Sequence, residues 1–486
     1  MSVRAVIGLE VHIELDTKSK LFCSCSTAFG AEPNTQVCPV CLGMPGVLPV
    51  MNRRAFELAL RVAAALRCRI APFTKWDRKG YYYPDLPKNY QISQYDLPLS
   101  SDGCLEVRLP DGSKKEIRIR RAHLEEDAGK NIHENPGYTA VDLNRTGIPL
   151  LEVVTEPDMN TVEEVMAFAR SLHALVRWLG ASAANMEMGQ MRFEPNVNLH
   201  VDELGRSAKT PIVEVKNLNS FRSLERASSF EIDRQYSEWR ASPDDYTLEK
   251  LGKTNRGYDE TTGETLFQRS KEEAHDYRYF PEPDLVPVTV SPEFLARIER
   301  DLPELPADRS DRFVRDYSLP EYDASVLTSD RALSDYFEAV VKSGADPKAA
   351  SNWVMGDLLR ELKERKIDVS QFPLGPEKLA GLIKLVTAGT ISTKIARETV
   401  FPEMLSSSSD ARQIVEKRGL TQISDAGELE AMVDAAIAAN PKAVSDFVAG
   451  KKTALSFLVG QIMRQTKGKA NPAALSEMIA KKLTSK

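Results

Sequence analysis

The sequence predicts an α+β protein with a largely antiparallel sheet in its first part and helices in the rest. Three observations carry this. Apolar and polar residues alternate with a period of two in several segments before residue 293. Amphipathic helical stretches with capping signals lie between those segments. Beyond them the period changes from strand-like to helical. At roughly 150 residues per domain, a chain of 486 residues suggests about three domains. We read them as 1–293, 294–403 and 404–486. The last opens near Ser406-Ser407-Ser408-Ser409-Asp410, a linker or N-cap cluster.

The elements follow in order. In Ile7–Leu15 the residues Ile7, Leu9, Val11, Ile13 and Leu15 share one face, and Glu10, His12 and Glu14 the other, as in a half-buried strand. Asn52 to Cys68 reads as an amphipathic helix. The segments around His123–Glu125 and Leu150–Val154 are strand-like and carry Glu125 and Glu152. Thr161-Val162-Glu163-Glu164 reads as a capping box, and its helix runs to Gly180 as C-cap. In Arg192–Val201, Phe193, Val197, Leu199 and Val201 face one way; Arg192, Glu194, Asn196, Asn198 and His200 face the other. Val213 and Val215 lie opposite Glu214 and Lys216 in Pro211–Lys216.

Composition narrows the class. Hydrophobic residues at 42% and charged residues at 28% are ordinary for a globular protein. A net charge of -6 excludes a generally basic nucleic-acid binder, so any RNA contact needs a local patch. One patch is the C-terminal stretch: Lys451, Lys452, Arg464, Lys467, Lys469, Lys481, Lys482 and Lys486 face a single acid, Glu477. It suits phosphate-backbone binding or a solvated helical surface. No segment approaches the ~18 apolar residues of a membrane span, and the first residues lack the apolar core of a secretory signal. A cytoplasmic location is expected. Disulfides are then not expected among the six cysteines.

Two constellations carry chemistry. Cys23-x-Cys25 and Cys38-x-x-Cys41 have the spacing of four thiolates around one tetrahedral zinc, the alternative being simple burial. Cys68, on a helix, and Cys104, on a strand, read as core. The acidic strand faces bring Glu10, His12, Glu125, Glu152 and Glu214 into view. Oxygen-rich ligands with few histidines favour Mg²⁺, which bridges carboxylates to phosphates. Arg192 and Lys216 would neutralise phosphate charge. The structural alternative is that these faces simply meet water. The sequence holds no P-loop, no G-x-G-x-x-G after a strand and no G-x-S-x-G elbow. Any ATP must therefore sit on a carboxylate-rich sheet. From Lys75 to Tyr95, Lys79, Tyr81, Tyr82, Tyr83, Lys88 and Tyr90 interleave cations and aromatics. They could stack the bases of a single-stranded RNA end or form a packed loop.

Eight ordered stretches resemble one family: IGLEVH (Ile7–His12), KLFCSC (Lys20–Cys25), VCPVCLGMPGVLPVMN (Val37–Asn52), YYYPDLPKNYQISQYD (Tyr81–Asp96), HLEEDAGK (His123–Lys130), DLNRTGIPLLEVVTEPD (Asp142–Asp158), VEVKNLNSF (Val213–Phe221) and HDYRYFPEPDL (His275–Leu285). The family is that of the B subunits of aspartyl/glutamyl-tRNA(Asn/Gln) amidotransferases. The resemblance implies a glutamine-synthetase-like cradle, a helical domain and a small helical, tRNA-binding tail domain. It implies that ATP phosphorylates the side-chain carboxylate of Glu or Asp misacylated onto tRNA(Gln) or tRNA(Asn). Ammonia, released from glutamine by a partner A subunit, then displaces the phosphate. A small C subunit completes a heterotrimer. Carried over by motif, Glu10, His12, Glu125 and Glu214 are expected at Mg²⁺ and phosphoryl transfer. Glu152, Glu126, Arg192 and Lys216 are expected at the nucleotide. Lys79, Tyr82 and Lys88 are expected where ammonia or the tRNA end arrives. Phe193-Glu194-Pro195 departs from the family's usual residues, which leaves Glu194 out of the ligand set. The rival reading is a zinc-containing tRNA-docking subunit without catalysis. A free-standing ATP-dependent ligase is a second rival. An acidic sheet face argues against RNA docking as its purpose.

Overall fold

The computed structural model describes residues 2–135, 137–203, 205–270, 277–422, 426–448, 451–466, 470 and 472–484. Their contacts separate into two units, one up to Leu305 and one from Pro306.

Among the described residues of the first unit, ten strands form one sheet. They are β1 (Ser2–Glu14), β2 (Arg69–Ile70), β3 (Ser100–Arg108), β4 (Lys114–Glu126), β5 (Pro149–Thr155), β6 (Met191–Glu203), β7 (Arg206–Lys209), β8 (Ile212–Lys216), β9 (Lys253–Asp259) and β10 (Glu264–Ser270). The order is β10-β9-β8-β6-β1-β5-β4-β3-β2, with β7 on β6. Every pairing is antiparallel except β8 with β9. β1 thus lies inside the sheet, hydrogen-bonded on both sides, which explains its length.

The period-two pattern is realised residue by residue. Ile7, Leu9, Val11, Ile13 and Leu15 are at most 3% exposed. They share an apolar core with α1 (Arg53–Ala65), α2 (Val162–Trp178) and α3 (Phe221–Ala241). Burying one such side chain is worth about 1.5–3 kcal/mol. Helices thus cover the odd face of β1, while its even residues remain for a site.

The helix ends follow their capping chemistry, with two corrections. Asn52 caps α1 by accepting from the Arg54 and Ala55 amides at 2.9 and 3.2 Å. The helix stops at Ala65, short of Cys68. Arg67 takes a left-handed φ of +55° and turns the chain toward β2, so Cys68 is buried just beyond the helix. Cys104 sits on β3, half-buried. At α2, Thr161 accepts from the Glu164 amide as expected, but the Glu164 carboxylate closes on the Asn160 amide, one residue early. Gly180, with φ +61°, ends this helix by donating to the Arg177 carbonyl. A further helix, α4 (Leu248–Leu251), precedes β9, and α5 (Pro292–Arg300) packs on α1 through Arg297, which pairs with Glu57 at 3.1 Å. The first unit therefore runs past residue 293.

Among its described residues, the regular elements of the second unit are all helices. It holds two apolar clusters, one from Phe313 to Val415 and one from Leu429 to Leu483. The helix Ala411–Arg418 belongs to the first cluster, so the two meet in sequence after residue 415. No helix among the described residues is long and apolar enough to cross a membrane.

Candidate active site

The site grows out of strand register. Glu10 of β1 pairs across to Glu194 of β6, and His12 to Arg192. On its other side His12 pairs with Glu152 of β5, which in turn faces His123 of β4. Glu125 lies two residues beyond His123, hence on the same face. Asn196 of β6 faces Glu214 of β8. Residues far apart in sequence thereby converge on one open cleft of about 870 Å³.

Two carboxylate groups stand in this cleft. In the first, ligand atoms of His12, Glu125 and Glu152 lie within 4.8 Å of one another. His12 Nε2 is 3.6 Å from Glu125 Oε1, and His123 Nε2 is 3.1 Å from Glu152 Oε2. In the second, Glu10, Glu194 and Glu214 meet the same 4.8 Å limit. Lys216 Nζ bridges Glu194 at 2.7 Å and Glu214 at 2.9 Å, and Asn196 donates to Glu10 at 3.0 Å. Ligand oxygens around a six-coordinate Mg²⁺ lie about 3–4 Å apart, so both groups could close on a cation with small side-chain movements. The all-oxygen second group suits Mg²⁺ better than the first, which includes an imidazole.

The electrostatics follow from burial and neighbours. Burial, reinforced by the charge of Glu152, pushes Glu125 up to about 8. Glu152 is held well below the ordinary carboxylate range: burial opposes this, and His123 overcomes it. Burial pushes His12 down to about 4, so its ring is neutral and able to ligate. Lys79 is half-buried, and desolvation opposes its charge, yet Tyr279, Glu125 and Tyr81 raise its pKa, and its Nζ lies 5.1 Å from the Tyr277 ring centroid. Arg192 donates to both oxygens of Asp127, at 2.9 and 3.1 Å, which fixes its guanidinium at the cleft wall. The cleft thus alternates acids with fixed cations, an arrangement suited to a polyphosphate held through a metal.

Of the residues expected from sequence, Glu10, His12, Glu125, Glu152, Glu214, Arg192, Lys216 and Lys79 line this cleft. Glu126 and Lys88 do not. They form a buried ion pair with each other, and Glu126 also accepts from the Ile92 amide at 2.9 Å. Tyr82 is 69% exposed, with Arg278 over its ring. Glu194, set aside on sequence, completes the second group. His123, Asp127, Tyr277 and Tyr279 also line the cleft without having been singled out. Spacing could have found His123, two residues from Glu125 on one strand face. The same two-residue step from Glu125 points to Asp127, whereas nothing local marks Tyr277 and Tyr279.

The four cysteines gather apart from the cleft. Cys23, Cys25, Cys38 and Cys41 have sulfurs within 4.8 Å of one another, and Cys38 and Cys41 are 3.9 Å apart. A tetrahedral zinc with bonds of about 2.3 Å separates its sulfurs by about 3.8 Å, so the set fits that ion. Buried Lys20 lies 3.7 Å from Cys41 Sγ, and the Cys38 amide donates to that sulfur at 3.1 Å. Both favour thiolate. Gly43 turns the loop with φ +66°, and a side chain there would collide with Lys88.

The basic C-terminal stretch is less bare than its sequence. Lys451 pairs with Asp446 at 2.9 Å, and Lys482 with Asp434 at 2.6 Å and Glu430 at 2.9 Å. Arg464 is exposed, while Lys467, Lys469 and Lys486 lie outside the described residues.

Comparison with known proteins agrees with these features. The family model described as GatB/GatE catalytic domain matches residues 5–296, and that described as GatB domain matches 335–483. The chain is similar to the B subunit of the aspartyl/glutamyl-tRNA(Asn/Gln) amidotransferase of Moorella thermoacetica, with 52% identity over 99% of this chain and 100% of that protein. The corresponding B subunits from Thermodesulfovibrio yellowstonii and Carboxydothermus hydrogenoformans are each 50% identical. Each alignment covers 99% of this chain, with 99% and 98% of the respective relative.

Proposed function

The chain belongs to the family of aspartyl/glutamyl-tRNA(Asn/Gln) amidotransferase B subunits, and from that premise we propose that its cleft carries out the ATP-dependent activation of misacylated tRNA. It is a subunit of a carbon–nitrogen ligase acting in protein biosynthesis. The substrates are Glu-tRNA(Gln), Asp-tRNA(Asn) or both. A side-chain carboxylate oxygen of the tRNA-bound amino acid attacks the γ-phosphorus of ATP, and ADP leaves. Ammonia then attacks the acyl carbon, the acyl–oxygen bond breaks, and phosphate departs. The ammonia comes from glutamine hydrolysed on a partner A subunit, with a C subunit completing the assembly.

The residues of this chain supply positioning and charge. Arg192, locked by Asp127, and Lys216 hold phosphate oxygens from the β6 and β8 sides. Lys79, across the cleft beside Glu125, opposes charge that builds on the transferring phosphoryl group. Glu10, Glu194 and Glu214 would hold one Mg²⁺, with His12, Glu125 and Glu152 as a second candidate set. A Mg²⁺ held there would supply positive charge against the phosphates of ATP. The four cysteines would hold a structural zinc that pins the loop carrying them. The observation that carries this reading is the convergence of two carboxylate groups with Lys79, Arg192 and Lys216 on one cleft.

The test is γ-phosphate release from ATP by the assembled enzyme, with and without Glu-tRNA(Gln). Stimulation by the charged tRNA should disappear in Glu125→Gln while glutamine hydrolysis persists. Full stimulation in that variant would remove the phosphoryl-transfer step from this cleft and favour a docking role.

A further inference from the structure

The flank of the cleft beside β4 is aromatic. Tyr81, Tyr95, Tyr277 and Tyr279 all line it. The Tyr95 and Tyr279 rings are stacked, with centroids 4.0 Å apart and planes 12° from parallel. Tyr279 meets Tyr277 edge-on at 6.2 Å, and Tyr277 meets Tyr81 at 5.9 Å. Tyr95 is nevertheless 40% exposed. A ring covered on one face by another ring and otherwise open is a rigid stacking platform. Its backbone is fixed as well, since the Tyr95 amide donates to buried Asp77 at 3.0 Å. Asp96, next in sequence, is tied to Lys75 at 2.7 Å. Ser93 donates to Glu125 at 3.4 Å, and the Gln94 side chain accepts from the Leu124 amide at 3.0 Å. The segment therefore runs along β4 away from Glu125, which puts Tyr95 toward Arg121.

Arg121 shares the cleft face of β4 with His123 and Glu125. Its Nε is buried and has no hydrogen-bond partner among the described residues. Such a nitrogen calls for an acceptor, best an anion. Burial lifts the Tyr279 phenol to about 12, against the nearby charges of Lys79 and Arg121, so the stack is neutral with a cation beside it.

We propose that Tyr95, backed by Tyr279, is the platform on which the 3′-terminal adenosine of the charged tRNA stacks, with Arg121 engaging its phosphate. The proposal rests on the cleft being the phosphoryl-transfer site, because the reacting amino acid is esterified to that terminal ribose. From Arg121 to Glu125 the strand covers about 13 Å. That matches the reach from a stacked base, through its ribose, to the side-chain carboxylate of an esterified glutamate. Sheet order places β4 four strands from β8, about 19 Å away. The RNA end thus enters opposite the flank where Lys216 and Arg192 hold the phosphates of ATP. Stacking reads no base identity, which suits an end common to every tRNA.

The experiment measures binding of uncharged tRNA(Gln) to the assembled enzyme, with its complete 3′ end and with the terminal adenosine removed. Wild type should bind the complete tRNA about tenfold more tightly. Tyr95→Ala should bind both alike, whereas Tyr95→Phe, which keeps the ring, should retain the tenfold difference. Arg121→Gln should narrow the difference, most at low salt, and it decides the matter if Tyr95→Ala fails to fold. An undiminished difference in folded Tyr95→Ala, or no difference in wild type, overturns the proposal. So does a loss of ATP affinity in Tyr95→Ala with the tRNA difference intact, which would give the platform to the nucleotide. Binding is read without ATP, so it stands apart from cleavage in Glu125→Gln. Cleavage that survives in Glu125→Gln removes the chemistry from the cleft and this proposal with it. Cleavage lost there, with the tRNA difference unchanged in Tyr95→Ala, removes only the place of the adenosine.

Discussion

Lys216→Met should expose the second carboxylate group for what it is. In the folded chain the ammonium bridges Glu194 and Glu214 at 2.7 and 2.9 Å, with the three side chains 32%, 17% and 4% exposed. At an effective dielectric of about 20, each contact of this length attracts by about 6 kcal/mol before desolvation. Most of that is returned as lost hydration, and removing one partner from a buried pair costs about 3–5 kcal/mol. The lysine is about one-third exposed, and the acids left behind can take up a proton. The expected loss therefore falls to about 2–3 kcal/mol. Urea unfolding of the full chain, followed by fluorescence of the buried Trp76 and Trp239 of the first unit, measures it.

The same variant makes a second, sharper demand. With the ammonium gone, Glu10, Glu194 and Glu214 present three carboxylates with ligand atoms within 4.8 Å and no cation between Glu194 and Glu214. Added Mg²⁺ should bind there and stabilise the fold, by about 2.7 kcal/mol at a hundred times its dissociation constant. Wild type should gain less, because Lys216 already engages the same oxygens. A variant within about 0.5 kcal/mol of wild type, or an equal Mg²⁺ effect on both proteins, would refute the reasoning.

Metal analysis of protein purified without chelator should find about one zinc per chain, falling sharply in Cys41→Ser. In the helical unit, Glu338 accepts from Arg309 at 2.5 Å and Arg312 at 2.8 Å. Burial opposes its charge, yet the bonds from Arg312, Arg309 and Tyr317 push it down to about 2 from an ordinary 4.5. Its stabilisation is complete above pH 4.5 and lost as pH falls toward 2, so acid titration of helical circular dichroism should show a weaker dependence in that window for Glu338→Gln. Combined Arg464→Ala, Lys467→Ala and Lys469→Ala should weaken tRNA binding and flatten its salt dependence. Unchanged affinity would reduce the basic end to a solvated surface. Point changes are preferable to truncation, since Leu458, Ile462, Leu475 and Ile479 build the last apolar cluster.

What the sequence disclosed was the content of each strand face. Glu10 and His12, Arg192 and Glu194, Glu214 and Lys216 each alternate with buried apolar residues, and alternation is a local signal. What it withheld was which faces adjoin. The pairing of His12 with Glu152 on one side and Arg192 on the other is a property of register between strands some 140 and 180 residues away. The parallel pairing of β8 with β9, which brings Lys253 to the cleft, left no local trace either. The tyrosines at 277 and 279 reach it from the segment just before a separate short sheet in which Phe280 pairs with Arg78. Glu126 and Lys88 show the opposite case. Both stand in recognisable motifs, yet Glu126 follows Glu125 directly on a strand, so its side chain leaves by the other face and meets Lys88 there.

That parity also explains why the site is rigid enough to work. β1 contributes Ile7, Leu9, Val11 and Ile13 to the core and Glu10 and His12 to the cleft. A slip of one residue would carry Ile7, Leu9, Val11, Ile13 and Leu15 into the cleft and bury Glu10, His12 and Glu14 among helices. Five apolar side chains, each worth about 1.5–3 kcal/mol on burial, oppose that slip together. The positions of Glu10 and His12 are therefore held by residues that never touch a substrate. Val11→Ala leaves every cleft side chain in place by name, but it removes apolar contact from the centre of that clamp, at a cost of about 1–3 kcal/mol. If the clamp is what sets the geometry, tRNA-dependent ATP cleavage should fall in kcat under conditions where the variant is fully folded, with nucleotide affinity nearly unchanged. Stability lost without any change in kcat would show that the cleft holds its own geometry through the Lys216 and Arg192 ion pairs instead.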